Sequence, residues 1–323
     1  MKANIVNGWP QNNSVRIEIS ETDASQVNAI RRALISDVPK LAITRVNITQ
    51  GVEEKDGEIL ESVNVLPDEM LAHRLAMIPI PTYPKEGLSF FEDCETCAEI
   101  VESEKGCPNC QVIFTLREQG PDKDSDEDYK TVYAGDLTTL SDPMFDIREE
   151  HRRIPITILS KGQYLELYAF ATLGRGSSHQ KWSPVAGVGF STKKVAKLNN
   201  AKKADTLFAL NLTTTDGKAI DAKLFGKDKT VDDVNTVIDI EKALHQVGYG
   251  TGRDADFDNA ITLEEVPGSY ILSYETDGSL DPATAFNQAM EQLTARFESL
   301  TSDLERVLAL SLIHISEPTR QAM

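Results

Sequence analysis

What this chain lacks narrows it first. No apolar run among its 323 residues approaches the roughly 18 needed to cross a membrane. The opening MKANIVNGWPQNN has neither the basic nor the apolar region of a signal peptide, so the protein is expected inside a cell. Basic residues are scarce: 33 against 51 acidic ones give a net charge of -18. That balance argues against wrapping nucleic acid, whose affinity rests on neutralising phosphates, and leaves room for a basic protein partner or a local basic patch. Cysteine is rare too, and its four copies are not scattered as a disulfide framework would scatter them. What remains is 40% hydrophobic residues, enough to build the cores of two domains.

The four cysteines, Cys94, Cys97, Cys107 and Cys110, form two CxxC pairs with residues 98–106 between them. Each pair makes a tight turn that lets two thiolates face one tetrahedral Zn²⁺, and four thiolates leave no open position for a substrate. The spacing therefore predicts a structural zinc loop over 90–116. A redox CxxC and an iron-sulfur cluster use the same residue type and stay open on spacing alone.

Ser14 to Ser20 alternates Val15, Ile17 and Ile19 with polar residues, the pattern of a half-buried strand. Next, Val27, Ile30, Leu34 and Val38 recur at three and four residues, so Asp23 to Val38 predicts an amphipathic helix. Asp23 caps it, Gln26 stands where a capping box requires, and Pro39 ends it. Arg31 and Arg32 point about 100° apart on that helix. At least one flanks the buried side and needs a receiver. Leu41 to Thr49 returns to strand, so strand, helix and strand read as one sheet covered on one side. A short amphipathic helix is expected between Asp68 and Pro81, containing His73 and Arg74. Val112 to Leu116 reads as a strand, Gly120 to Lys130 as a solvated charged loop, and Ile154 to Ala171 as a hairpin turning at Lys161 to Gln163.

Gly174 to Pro184, GRGSSHQKWSP, gathers His179 and Trp182 with glycines and basic residues but has no GxxxxGK[ST] phosphate-loop pattern. Within 191–262, LFALNL reads as a strand and VNTVIDIEKALHQVGYG as a helix ending at Gly248. No chemistry attaches to that stretch. SYILSY reads as a strand before the turn TDGS. In the last element Asp281 caps and Pro282 takes the first helical position. Phe286, Met290, Leu293, Phe297, Leu300, Leu304 and Val307 then make a heptad seam along a helix of about 45 Å, too long for a small domain and fit to lie against a partner. The ending IHISEPTRQAM resembles a translated sequencing adapter, so 311–323 is set aside as a non-native tail.

Four motifs in order, NAIRRALISDVPKLAI, LAHRLAMIPI, GRGSSHQKWSPVAGVGF and ETDGSL, resemble the alpha-like subunits of DNA-dependent RNA polymerase. That family includes the archaeal D-type member, the third-largest subunit of eukaryotic polymerase II and the N-terminal part of bacterial alpha. The resemblance implies an α+β fold: a discontinuous dimerisation domain of sheet and long helices, 1–51 plus 263–310, around a mainly β inserted domain, 52–262, that carries the zinc loop. It implies a noncatalytic assembly platform that pairs with a small alpha-like subunit, L-type in archaea, and docks the second-largest and largest subunits, with little or no direct DNA contact and no membrane. The interface would include Arg31, Arg32, Leu34, His73, Arg74, Arg175, His179, Lys181 and Trp182, with Phe286, Met290, Leu293, Phe297, Leu300 and Leu304 on the last helix. The cysteine pairs match the eukaryotic zinc loop in position. No cysteine follows Cys110, where the iron-sulfur module of some archaeal members needs them, which favours zinc. Localisation would be cytoplasmic in an archaeon and nuclear in a eukaryote. The competing classes are a zinc enzyme using His73 or His179, and a zinc-knuckle nucleic-acid binder.

Overall fold

A computed structural model describes residues 1–55, 58–62, 66–84, 88–101, 106–215, 217–247 and 259–315. In chain order its first strands are β1 (Lys2–Ile5), β2 (Ser14–Ser20), β3 (Pro39–Thr49), β4 (Val52–Lys55), β5 (Glu58–Glu61), β6 (Val112–Gln119) and β7 (Tyr129–Tyr133). They continue with β8 (Thr138–Thr139), β9 (Pro155–Ser160), β10 (Tyr164–Arg175), β11 (Val185–Leu198), β12 (Thr230–Val231) and β13 (Ile261–Thr276). The helices are α1 (Ala24–Ser36), α2 (Asp68–Ala76), α3 (Ala201–Phe208), α4 (Val234–Val247) and α5 (Pro282–Ile315). The fold is mixed α+β.

Two compact units divide the chain, 1–29 with 189–274 and 30–188 with 275–323. Both are discontinuous, and the cuts fall inside α1, β11 and β13, whereas the expected split fell at 51/52 and 262/263. The first unit is a five-stranded sheet ordered β1-β2-β13-β11-β12 with α3 and α4. Residues 196–261, which carried no motif, have a core of their own, where Leu207, Phe225 and Ile240 are each at most 1% exposed. The expected LFALNL strand is instead the end of α3 and the turn after it. Asn200 caps α3, accepting from the Lys203 amide at 3.3 Å, and Ala204 and Leu207 share its buried side three residues apart. A short apolar run has no periodicity long enough to tell the two forms apart. Gly248, the expected end of the next helix, lies outside the described residues.

The second unit is built on the sheet β3-β10-β6-β8. Leu41, Ile43, Phe114, Leu116, Leu165 and Leu167 fill its core with Leu71 and Leu75 of α2. Strand β10 lies between β3 and β6, antiparallel to both. The expected hairpin of β9 with β10 does not form. Strand β9 pairs with β7, because β10 already spends both edges on longer strands. Nor do β2 and β3 share a sheet: alternation shows which side chains point inward, not which strand lies alongside.

Helix α1 forms where its stripe predicts, with Val27, Ile30, Leu34 and Val38 at most 2% exposed. Asp23 accepts from the Ser25 and Gln26 amides, and hydrogen bonds from Ser25, then Gln26, hold its carboxyl below the usual range. The capping box is half made, since the Gln26 carboxamide accepts from the Thr22 hydroxyl at 2.6 Å. Arg31 is half-buried and engaged, and Arg32 is exposed.

Helix α5 starts as expected, with Asp281 accepting from the Thr284 amide at 2.9 Å and Pro282 in the first turn. It then continues past Leu310 to Ile315, so 311–315 are helical backbone. The rest of the expected tail, 316–323, lies outside the described residues.

Just before α5, the TDGS turn holds Asp277, whose carboxylate pairs with the Lys40 ammonium and accepts from the Ser279 amide at 3.0 Å. The Lys40 side chain is only 5% exposed. Asp277→Ala, which leaves a buried ammonium with the Lys181 carbonyl but no counter-ion, is therefore expected to cost about 3 kcal/mol. Adding Lys40→Met should recover most of that loss in chemical denaturation. Recovery of none of it would show that the pair is not what the turn contributes.

Candidate functional site

The cysteine loop is local structure first. Cys97 donates its amide to the Cys94 carbonyl at 3.0 Å, and Cys110 donates to Cys107 at 3.0 Å, so each CxxC closes a turn. Gly106 sits at φ +137°, a backbone conformation that residues with side chains rarely adopt, so the second knuckle favours glycine there. Asn109 joins the knuckles by donating to the Thr96 hydroxyl at 3.3 Å.

These turns bring all four sulfurs within 4.8 Å of one another. The Cys94 and Cys107 sulfurs lie 3.5 Å apart, those of Cys107 and Cys110 3.7 Å and those of Cys97 and Cys110 3.9 Å. Four thiolates each about 2.3 Å from one tetrahedral ion stand about 3.8 Å apart, so the donor set fits a single metal ion. The thiolates of a multi-iron cluster bind separate irons and spread wider. Cys94, Cys97 and Cys110 are buried and Cys107 is half-buried. Burial would raise the Cys107 thiol, but the Asn109 amide and the other three thiols outweigh it and bring it to about 7. Burial, with the neighbouring thiols, pushes Cys110 up to about 12. A cation would relieve that opposition by accepting all four as thiolates. Residues 102–105 of the loop lie outside the described residues.

The GRGSSHQKW loop is also assembled closely. A Cβ on Gly174 would sit 2.2 Å from the Trp182 ring, and one on Gly176 would sit 2.0 Å from the Ile35 carbonyl oxygen. The Trp182 indole donates to the Thr172 carbonyl at 3.1 Å, and Lys181 donates to the Ile43 carbonyl at 3.2 Å. Burial lowers the Lys181 pKa. The His179 ring accepts from the Lys181 amide, so this exposed histidine is a turn cap. Arg175 lies 4.1 Å over the Phe90 ring and donates to Gln292 of α5 at 3.4 Å. Gly174→Ala is expected to expel Trp182 from its seat at a cost of about 2 kcal/mol. Trp182 emission in a Trp9→Phe background should shift to the red, and an unchanged spectrum would count against this packing.

Along α5, exposure changes sharply. Ala285 and Ala289 are fully buried, and Phe286, Met290 and Leu293 are half-buried. From Thr294 to Leu308 every residue is exposed, including Phe297 at 65%, Leu300 and Leu304 at 54% and Val307 at 58%. A helix of 34 residues is about 51 Å long. Phe297, Leu300, Leu304 and Val307 on this stretch are left largely to solvent, although most helical stability comes from tertiary packing of an apolar face. Arg296 anchors the root of this free portion by donating to Asp37, just beyond α1, at 2.7 Å.

The residues expected from the sequence meet different fates. The cysteines converge, and the distal seam is bare. Leu34, expected at an interface, is completely buried by its own chain and offers no surface to a partner. His73 and Arg74 are exposed on α2, and Arg74 donates to the Ile156 carbonyl at 2.8 Å. Among the described residues the cysteines form the only metal-competent group, so neither His73 nor His179 belongs to one. Sequence reasoning missed Arg45, whose guanidinium lies 4.3 Å over Phe170. These two meet only through the pairing of β3 with β10, which no local pattern encodes.

A family model described as the RNA polymerase Rpb3/Rpb11 dimerisation domain matches residues 16–297. DNA-directed RNA polymerase subunit Rpo3 of Picrophilus torridus is 28% identical over 295 residues, covering 91% of this chain and 97% of that relative. Subunit 3 of DNA-directed RNA polymerases II, IV and V of Arabidopsis thaliana is 29% identical over 299 residues, 88% of this chain and 86% of its own. Rpo3 of Methanosarcina acetivorans reaches 35% over 187 residues, 58% of this chain and 60% of that relative. Among the described residues no helix is long and apolar enough to cross a membrane.

Proposed function

Because this chain belongs to the RNA polymerase Rpb3/Rpb11 dimerisation-domain family, a family of polymerase assembly subunits, we propose that it pairs through α5 with a small alpha-like subunit of the archaeal L type. The resulting pair is the platform on which the second-largest and largest subunits assemble. The single observation that carries this reading is the exposed run from Thr294 to Val307, in which Phe297, Leu300, Leu304 and Val307 keep heptad spacing and are each more than half exposed. The dimerisation domain comprises 1–51 and 263–310, and the inserted domain 52–262. Arg31, Arg32, His73, Arg74, Arg175, His179, Lys181 and Trp182 are offered to the assembly, and direct DNA contact is slight.

The subunit is noncatalytic. The histidines lie outside any metal-competent cluster among the described residues, and four sulfur ligands would close a metal to substrate. We assign the cysteine cluster to structural Zn²⁺, which would pin the 90–116 loop. The protein works where its polymerase does, in the cytoplasm of an archaeon or the nucleus of a eukaryote.

Light scattering of the chain with and without its co-expressed small partner tests the pairing. The chain alone is expected to self-associate, and the pair to run as a one-to-one heterodimer without nucleotidyl transfer. A stable monomer indifferent to the partner would overturn the reading.

A further inference from the structure

Three cation-aromatic pairs lie close together in the second unit: Arg45 over Phe170 at 4.3 Å, Lys181 over Trp182 at 4.4 Å and Arg175 over Phe90 at 4.1 Å. Their common frame is β10. Along it Ala169 and Ala171 point inward and are fully buried, so Tyr168 and Phe170 face outward. Gly174 is two strides further on the same side, and its missing side chain is the space Trp182 occupies. The row ends at a groove of about 270 Å³ between Trp182, Arg175 and Phe90. Tyr168 is 41% exposed, and Arg45 opposite Phe170 is exposed.

None of the three cations has a carboxylate partner among the described residues. Lys181 has a carbonyl, Arg175 has the Gln292 amide, and Arg45 has only its ring. In a chain of net charge -18, cations kept free of their own acids are positioned to receive someone else's. Exposed tyrosine and arginine beside seated aromatics are the composition that dominates protein contact energies.

We infer that this outer face of β3 and β10, from Tyr168 to the Phe90 groove, is a docking surface for a segment of another polypeptide that carries carboxylates beside apolar side chains. The inference rests on the assembly reading above and adds to it the chemistry of a partner other than the one on α5. A strand of nucleic acid is the poorer fit. Its phosphates would meet Glu92 at the groove, Glu53 and Glu166 around Arg117, and the strongly negative chain as a whole. One peptide carboxylate needs only one of the free cations. The surface also borders α5, since Gln292 lies one turn or less before the bare run.

The test uses the full chain, tagged and expressed in cells with the polymerase, followed by quantitative mass spectrometry of the copurified subunits. The double variant Arg45→Glu with Tyr168→Ala is expected to retain the small alpha-like subunit and to lose at least tenfold of the large subunits, while Arg45→Lys keeps both. Full recovery of the large subunits with the double variant would overturn the inference and leave the assembly reading standing. Recovery of no polymerase subunit with the unsubstituted chain would overturn both. Independently of any folding defect, a benzophenone amino acid at position 168 of the otherwise unsubstituted chain should cross-link to a peptide bearing Asp or Glu within a few residues of the adduct. Cross-links confined to its own chain would overturn the inference. So would tight binding of a fluorescent oligothymidylate to the unsubstituted chain that the double variant weakens tenfold.

Discussion

Replacing Phe297, Leu300 and Leu304 together by glutamate is expected to abolish pairing with the small alpha-like subunit while leaving the chain itself as stable as before. All three are more than half exposed, so their removal takes nothing from the intrachain core. In a helical seam each becomes an anchor, and truncating an anchor typically costs about 2 kcal/mol. Three such losses, discounted for non-additivity, still exceed about 4 kcal/mol, or roughly a thousandfold in Kd. Glutamate adds desolvation and repulsion, since the chain is already acidic. Titration of labelled partner against wild-type and variant chains measures the change directly. A shift under tenfold would show that the partner sits elsewhere, and a large drop in melting temperature of the variant alone would show that the seam is not bare in solution.

Cys110→Ser should take bound zinc from one equivalent to none and open the 90–116 loop to protease. Cys110 is fully buried and lies within 3.9 Å of both Cys97 and Cys107, so a hydroxyl there leaves three thiolates with an incomplete shell. Structural zinc in small finger domains is worth about 10–16 kcal/mol of apparent binding energy, far more than a short loop can supply by packing. The effect should stay local. The cysteines form their own cluster with Phe91, apart from the core built on Leu41, Phe114 and Leu167. Limited proteolysis with metal analysis therefore expects early cleavage near the knuckles and an unchanged melting transition for the body. Equal protease resistance with and without metal would refute the structural role.

The sequence discloses these two features for the same reason: each is written in a local spacing of residue types. Two close CxxC turns predict convergence on one ion, which the sulfurs fit, and a heptad spacing lays its apolar residues along one stripe of a helix. Features that depend on which strands meet were not legible. The Tyr168 and Phe170 row looks like ordinary alternation until β3 brings Arg45 beside it, from a position more than a hundred residues earlier. The expected hairpin of β9 and β10 failed on the same point. The RNA polymerase resemblance carried the family, but it placed Leu34 at an interface where the helix stripe had already assigned it to the core. In that case the plain periodicity was the better guide.

The discontinuity of the first unit has a consequence for biosynthesis. Strand β2 gains its second neighbour only when β13, beginning at Ile261, has been made. At the roughly 5–20 residues per second of translation, that interval lasts on the order of ten seconds or more. Throughout it the nascent N-terminus displays an unsatisfied edge of backbone amides and carbonyls, inviting chaperones or premature aggregation. A ribosome stalled ahead of Ile261 would hold that ribbon open indefinitely.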